Sequence, residues 1–196
     1  MLEREKYLDA GELAQLLRAA RTSTLLHGRR DYVFLATLAN TGIRPGEAVA
    51  LTVADCRVTD HDGFLRVRRL KSRRELGRLD DVMLSRPLCR LLRRHVVSLV
   101  GRCPPPPAAS HVHAFPFTVR QAERIFHVYR AAAALPEHLR LYALRHTFLT
   151  RAAEISRDPF LVRALAGHAH LSSTQIYTHT DPARVRELVE RAGAVL

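Results

Sequence analysis

Residues 138–180, HLRLYALRHTFLTRAAEISRDPFLVRALAGHAHLSSTQIYTHT, constrain this chain more than any other stretch. At about 100° per residue, Leu141, Leu144, Leu149, Phe148, Ala152 and Ile155 fall on one half of a helix. Thr147, Thr150, Arg151 and Glu154 fall on the other. Arg145 lies between Ala152 and Leu149, inside the apolar arc. A guanidinium does not lose its proton, so burial leaves a cation that needs an anionic partner. A nearby carboxylate is the plain structural solution.

Two more features follow on the same stretch. Asp158 and Pro159 read as the N-cap and first residue of a short helix, Phe160 to Ala166 fills it, and Gly167 ends it in the left-handed conformation. His168 comes next, either as a histidine favoured by the helix dipole or as a functional group fixed at a helix end. Ser172 and Gln175 form a capping box for the following helix. Tyr177 lies two residues beyond, as an ordinary half-packed tyrosine or as a reactive phenol.

Taken together these features carry a family likeness. The run LRH…LAGHAHLSSTQIYTH has 23 residues from Arg145 to His168 and 9 from His168 to Tyr177. It resembles the tyrosine recombinase (phage integrase) family, which shows an HxLRHTF-like helix, then LGH, then a TQIYTH-like segment carrying the nucleophile. Independent structural features do not reproduce both spacings.

The rest of the chain reads in order. Asp9 and Glu12 cap a first helix with Leu13, Leu16, Leu17 and Ala20 as its inner stripe. A second helix is predicted from Asp31 to Asn40, ended by Gly42. Pro45 is predicted as N1 of a third helix with Glu47 at N3. That leaves Arg44 as N-cap, where a cation is mildly unfavourable unless helix end and arginine hold an anion together. Strands are predicted over Arg57 to Thr59, Phe64 to Leu70 and Leu79 to Leu84, with Asp62-Gly63 as a hairpin turn. Leu65 and Val67 alternate with Arg66 and Arg68, giving one buried and one basic face. Helices are predicted from Leu88 to Val100, from Thr118 to Ala134, and after Asp181-Pro182, the last with Val185, Leu188 and Val189 apolar. Cys103 and Pro104 to Pro107 read as a stiff loop within one domain. The fold class is α+β, mostly helical, with a small three-stranded antiparallel sheet.

The segment TGIRPGEAVALTVADC resembles the family's TGxRxxELxxLxxxD box. The resemblance implies that Arg44 and Arg145 clamp a scissile phosphate and that Glu47 helps orient the site. Lys71, first after the strand in RRLKSRRELGRLDDVML, is implied as general acid. His168 is implied as a phosphate hydrogen-bond donor and Tyr177 as the nucleophile. Arg73 and Arg74 crowd the Lys71 loop and are candidate DNA contacts. Arg120 and Arg124 on the long helix either touch a DNA backbone or form a solvated face. One position departs from the family: Tyr142 stands where histidine is common, three residues before Arg145. A tyrosine is a poor base near neutral pH, so a slower enzyme is expected.

The charge balance points to nucleic acid, with an anionic membrane surface as the weaker option. Lys+Arg total 31 against 19 Asp+Glu, a net charge of +12. Arginine is suited to forked phosphate contacts. No apolar run is long enough for a membrane span, and the N-terminus has no signal-peptide core. The three cysteines (Cys56, Cys89, Cys103) are odd in number and scattered, which fits a reducing cytosol. The pairs His111/His113 and His168/His170 lack a cysteine or carboxylate in register, so no metal site is predicted. The implied chemistry needs no cofactor, because covalent capture conserves the bond energy.

The resemblance runs from about Leu8 to the C-terminal helix. It implies one catalytic domain over residues 1–196, without the family's usual upstream DNA-clamping domain and similar in length to the short fimbrial phase-switch recombinases. It also implies a homo-tetramer on double-stranded DNA, joined through the C-terminal helix. The rival readings are a type IB topoisomerase-like enzyme and a non-enzymatic DNA-binding regulator or excision factor on the same scaffold.

Overall fold

In the computed structural model, residues 7–69, 77–167 and 182–193 are described. Eight helices and three strands are assigned among them: α1 (Ala10–Arg21), α2 (Gly28–Thr41), α3 (Pro45–Val49), β1 (Cys56–Val58), β2 (Gly63–Arg68), β3 (Leu79–Met83), α4 (Arg86–Val100), α5 (Val119–Ala132), α6 (Ala143–Ser156), α7 (Pro159–Leu165) and α8 (Pro182–Ala192). The mixed, mostly helical class read from the sequence is the one observed.

Helix α2 is the axis of the molecule. Every residue from Val33 to Thr41 is buried, and α1, α3, α4, α6 and α8 all pack on it. A helix covered on all sides must be apolar all round or satisfy its polar groups internally. Here Thr37, Asn40 and Thr41 bond back to the carbonyls of Val33, Ala36 and Thr37 at 2.7, 2.8 and 2.7 Å. The helix begins at Gly28, three residues before the expected Asp31, with His27 at the N-cap and no side-chain capping bond. Gly42 ends it at φ 61°. A Cβ on Gly42 would meet the Phe148 ring at 2.6 Å, so glycine also lets α6 approach this turn.

The strands form an antiparallel sheet in the order β1-β2-β3, with Leu65 opposite Cys56 on one side and Val82 on the other. Leu65 and Val67 are fully buried. The outer face is less basic than its sequence suggests, because Arg66 forks onto Asp81 at 3.0 and 3.2 Å.

Helix α8 lies against its own chain. Leu188, Val189 and Ala192 are buried, and α8 packs on α6, α2 and β3. Leu188 and Ala192 share a small core with Phe148, Ala152 and Leu161. Glu190 accepts the Arg86 N–H at 2.9 Å, and Arg186 forks onto Asp62 at 2.7 and 3.1 Å. Of the two roles open to this helix, packing on its own chain or docking on a neighbouring subunit, the single chain shows the first among the described residues. Burying Leu188 and Val189 contributes on the order of 3–6 kcal/mol, which any docking on a neighbour would have to replace. No helix among the described residues is long and apolar enough to cross a membrane.

Candidate active site

The site is assembled where the C-terminal end of α2 turns into α3. Arg44 is the N-cap of α3 and Pro45 its first residue, as the sequence indicates. The unfavourable cation at that helix end is offset by Glu47. Its Oε2 accepts the Arg44 backbone N–H at 2.9 Å, and its Oε1 accepts Nη1 of the Arg44 side chain at 2.8 Å. Glu47 is only 1% exposed. Nε of Arg44 is buried with no hydrogen-bond partner among the described residues.

Arg145 enters from the first turn of α6 and is 3% exposed. Its partners are not the carboxylate that its place in the apolar arc suggests. Nη1 donates to the carbonyl of Gly42, and Nη2 donates to the carbonyl of Ala166 at 2.8 Å. The guanidinium therefore ties the α2–α3 turn to the end of α7, with no carboxylate bound to it among the described residues. Burial pulls its pKa below the ordinary guanidinium value, the charge of Arg44 adds to this, and Tyr142 and Glu47 oppose it. An arginine remains cationic through the working pH range all the same.

A third arginine belongs to this cluster. Arg69, at the end of β2, is 6% exposed. It donates from Nη1 to Glu47 Oε2 at 3.1 Å and from Nε to Asp80 Oδ2 at 2.8 Å. Its guanidinium lies against Gly167, where a Cβ would come within 2.5 Å of Cζ. Arg69 thus touches the carboxylate that orients Arg44 and the glycine that precedes His168. The sequence reading missed it by counting Arg66 and Arg68 as the basic face. The alternation that buries Leu65 and Val67 puts residue 69 on the inward side too, and that was the available signal.

Arg78 also binds Asp80, at 2.7 and 2.8 Å. Among the described residues, three guanidinium groups (Arg44, Arg69 and Arg78) therefore share two carboxylates, and Arg145 adds a fourth cation bound to neither. The cluster has a surplus of positive charge, an orphan N–H on Arg44, and little water access. Such a site is built to take an anion.

Tyr142 caps α6 and is 38% exposed. Its ring meets that of His146 edge-on, 5.1 Å between centroids. On the α6 wheel His146 points about 100° away from Arg145. The relevant neighbour is Tyr142, one helical turn away on the same face, and there the imidazole does sit. Arg120 and Arg124 are exposed on α5, which packs on α1 and α3. Arg130 on the same helix instead holds the following loop through the carbonyls of Glu137 and Leu139. Lys71, Arg73, Arg74, His168 and Tyr177 lie outside the described residues. The structure thus brings together Arg44, Glu47 and Arg145, adds Arg69, and sets Tyr142 beside them.

Comparison with known proteins gives a consistent picture. Residues 6–184 match the profile of the Phage integrase family. The chain is 29% identical over 188 residues to tyrosine recombinase XerC of Pelobacter propionicus, covering 95% of this chain and 59% of that protein. It is 26% identical over 188 residues to tyrosine recombinase XerD of Staphylococcus haemolyticus, covering 92% and 60%. Among solved structures, XerA recombinase superposes with a TM-score of 0.66 at 25% identity, covering 93% of this chain and 63% of that one. The pre-cleavage complex of XerH site-specific recombinase with its difH substrate gives 0.67 at 22% identity, covering 95% and 55%. The chain spans about three-fifths of the length of these curated relatives.

Proposed function

The chain belongs to the phage integrase family, and from that premise we propose that residues 1–196 form a tyrosine recombinase catalytic domain that cuts and rejoins duplex DNA through a 3′-phosphotyrosyl intermediate. The observation that carries the reading is the buried cluster of Arg44, Arg69 and Arg145 around Glu47, with positive charge in surplus.

In this mechanism the Tyr177 phenol oxygen attacks the scissile phosphorus as its proton leaves to a base. The P–O5′ bond breaks, and the departing 5′-oxygen takes a proton from the Lys71 ammonium. Arg44 and Arg145 hold the non-bridging oxygens and stabilise the charge that builds on them. His168 donates a further hydrogen bond. Religation is the reverse, with a 5′-hydroxyl attacking the phosphotyrosine. Glu47 and Arg69 act through Arg44 and the Gly167 corner, as positioning residues. Because both clamp groups are guanidinium ions, charge stabilisation does not depend on pH near neutrality. Arg73, Arg74, Arg120 and Arg124 would contact the DNA backbone. Assembly as a tetramer on DNA is part of the proposal, and with α8 packed in cis it requires either release of that helix or another contact.

The test uses a nicked duplex carrying a site selected from a randomised pool, so that cleavage traps the covalent intermediate. Wild-type protein should give a DNA-shifted band. Tyr177→Phe should abolish it, and Arg145→Ala should reduce it by roughly 100-fold or more. Selective binding by the wild type with no adduct would instead identify a DNA-binding regulator.

A further inference from the structure

At the opposite end of α2 from the catalytic cluster lies a cleft of about 600 Å³. Its walls are the end of α1, the start of α2 and one face of α4, and they carry Arg21, Arg29, Arg90 and Arg94, with Tyr32 and Leu91 as the less polar part of the lining. Helix α2 has 14 residues, so roughly 20 Å separates this cleft from Arg44. A single phosphodiester cannot occupy both.

The four guanidinium groups are set apart from their neighbours by what they lack. Arg30 follows Arg29 directly, but it is bound to Asp31 at 2.8 Å and lies over the Phe117 ring. Arg93 sits between Arg90 and Arg94 on α4, but it is paired with Asp60 at 3.1 Å. None of the four cleft arginines has an ion pair or a side-chain hydrogen bond among the described residues. Arg90 and Arg94 are moreover one helical turn apart on the same face, a like-charge pair that opposes helix stability. Four cations lining one concavity without a carboxylate repel one another, and an anion would relieve that repulsion. Nearby, burial lowers the pKa of His95, the hydrogen bond to the Ala114 carbonyl opposes this, and Arg29 and Arg30 add to the lowering.

We propose that this cleft binds a ligand carrying several adjacent phosphate groups. Its volume suits a compact ligand. Guanidinium forks match phosphate oxygens in pairs, and four positive charges balance a triphosphate or a short run of phosphodiesters. The Tyr32 ring offers a surface on which a base can stack. The ligand is either a free nucleoside triphosphate or a stretch of nucleic-acid strand, and the two share the chemistry that the cleft recognises. The site does not depend on the cleavage reaction.

The experiment measures fluorescence anisotropy of two probes with the full chain: a fluorescently labelled ATP and a short labelled oligothymidylate. Arg90→Gln/Arg94→Gln should weaken binding by roughly tenfold for each arginine removed, at a urea midpoint no lower than that of the wild type. Arg21→Gln/Arg29→Gln, on the facing wall, guards against a fold defect in the first variant and should act the same way. Tyr177→Phe should bind as the wild type does. Loss confined to the ATP probe identifies a nucleotide site, and loss confined to the oligonucleotide identifies a strand site. The proposal is overturned if both cleft variants bind both probes undiminished. It is equally overturned if Arg44→Gln alone removes the binding, or if neither probe binds the wild type.

Discussion

Gly167→Ala tests whether the catalytic cluster and the fold share one corner. Gly167 has φ +61°, a conformation that costs an L-residue about 1–2 kcal/mol. The new methyl would also stand 2.5 Å from Cζ, 2.6 Å from Nη2 and 2.8 Å from Nε of Arg69. That guanidinium is not free to swing aside, because Glu47 and Asp80 grip it at 3.1 and 2.8 Å and its side chain is 7% exposed. Moving it gives up at least one charge-assisted hydrogen bond, about 1.5–3 kcal/mol. The substitution should therefore cost about 2.5–5 kcal/mol, a large share of the roughly 5–15 kcal/mol that holds a domain folded. The assay is urea unfolding of a double-mutant cycle with Arg69→Ala. Without the guanidinium in its way, the alanine should cost only the backbone share, giving a coupling of about 2 kcal/mol. Equal costs in the two backgrounds, within about 0.5 kcal/mol, would refute the reasoning. The DNA-cleavage rate should fall together with stability, since His168 follows directly.

Three further outcomes are expected. Tyr142→His should raise the single-turnover cleavage rate, by about 10²-fold where proton removal from Tyr177 limits the wild type; an unchanged rate would mean that the base lies elsewhere, with His146 the next to substitute. Burial, with Asp55 adding to it, pushes the Cys56 thiol up to about 12, and burial does the same to Cys89; in the native protein both should resist iodoacetamide at pH 8 and react only on unfolding. Burial of Asp80 favours its neutral form, but the Arg78 and Arg69 hydrogen bonds outweigh that and lower its pKa. The sign follows: its stabilisation is complete above the unfolded carboxylate value, about 4, and is lost as pH falls through the lower folded value. Urea midpoints measured on acidification should show this decline, and Asp80→Asn should flatten it.

What the sequence disclosed was mostly local. The capping box of Asp9 and Glu12 forms as read, with bonds of 2.9 and 2.8 Å. Asp158 caps α7 through the Phe160 and Leu161 amides, and the β1–β2 hairpin forms near the turn read there, although the turn is Thr59–Asp62 and Gly63 already pairs with Val58 as the first residue of β2. These motifs complete themselves within a few residues. What it withheld depends on contacts between distant segments. Thr147 lies on the polar half of the α6 wheel, yet it is 1% exposed. Its hydroxyl accepts the Leu8 N–H at 2.9 Å, from a segment 139 residues away that covers that side of the helix. The wheel asked for an anion beside Arg145, but no periodicity could foretell that two peptide carbonyls would serve. The site was legible where family spacing marks it. Arg69 carries no such mark, and only strict strand parity points to it.

The choice of carbonyls over a carboxylate for Arg145 has a functional consequence. A carboxylate would neutralise the guanidinium and compete with any phosphate for it. Carbonyl dipoles fix the same side chain in place, through the Gly42 and Ala166 oxygens, while leaving its net charge intact. Glu47 performs the complementary task for Arg44, where a helix N-terminus already supplies positive potential and a second cation needs compensation. It fixes that side chain through Nη1 alone, leaving Nε unpaired. One arginine is thus held by neutral groups and the other by a shared carboxylate. In the proposed reaction, side chains anchored in this way would need little reorganisation as charge builds on a bound phosphate. Asp80, by drawing Arg69 toward the sheet, keeps the third guanidinium from claiming Glu47 outright.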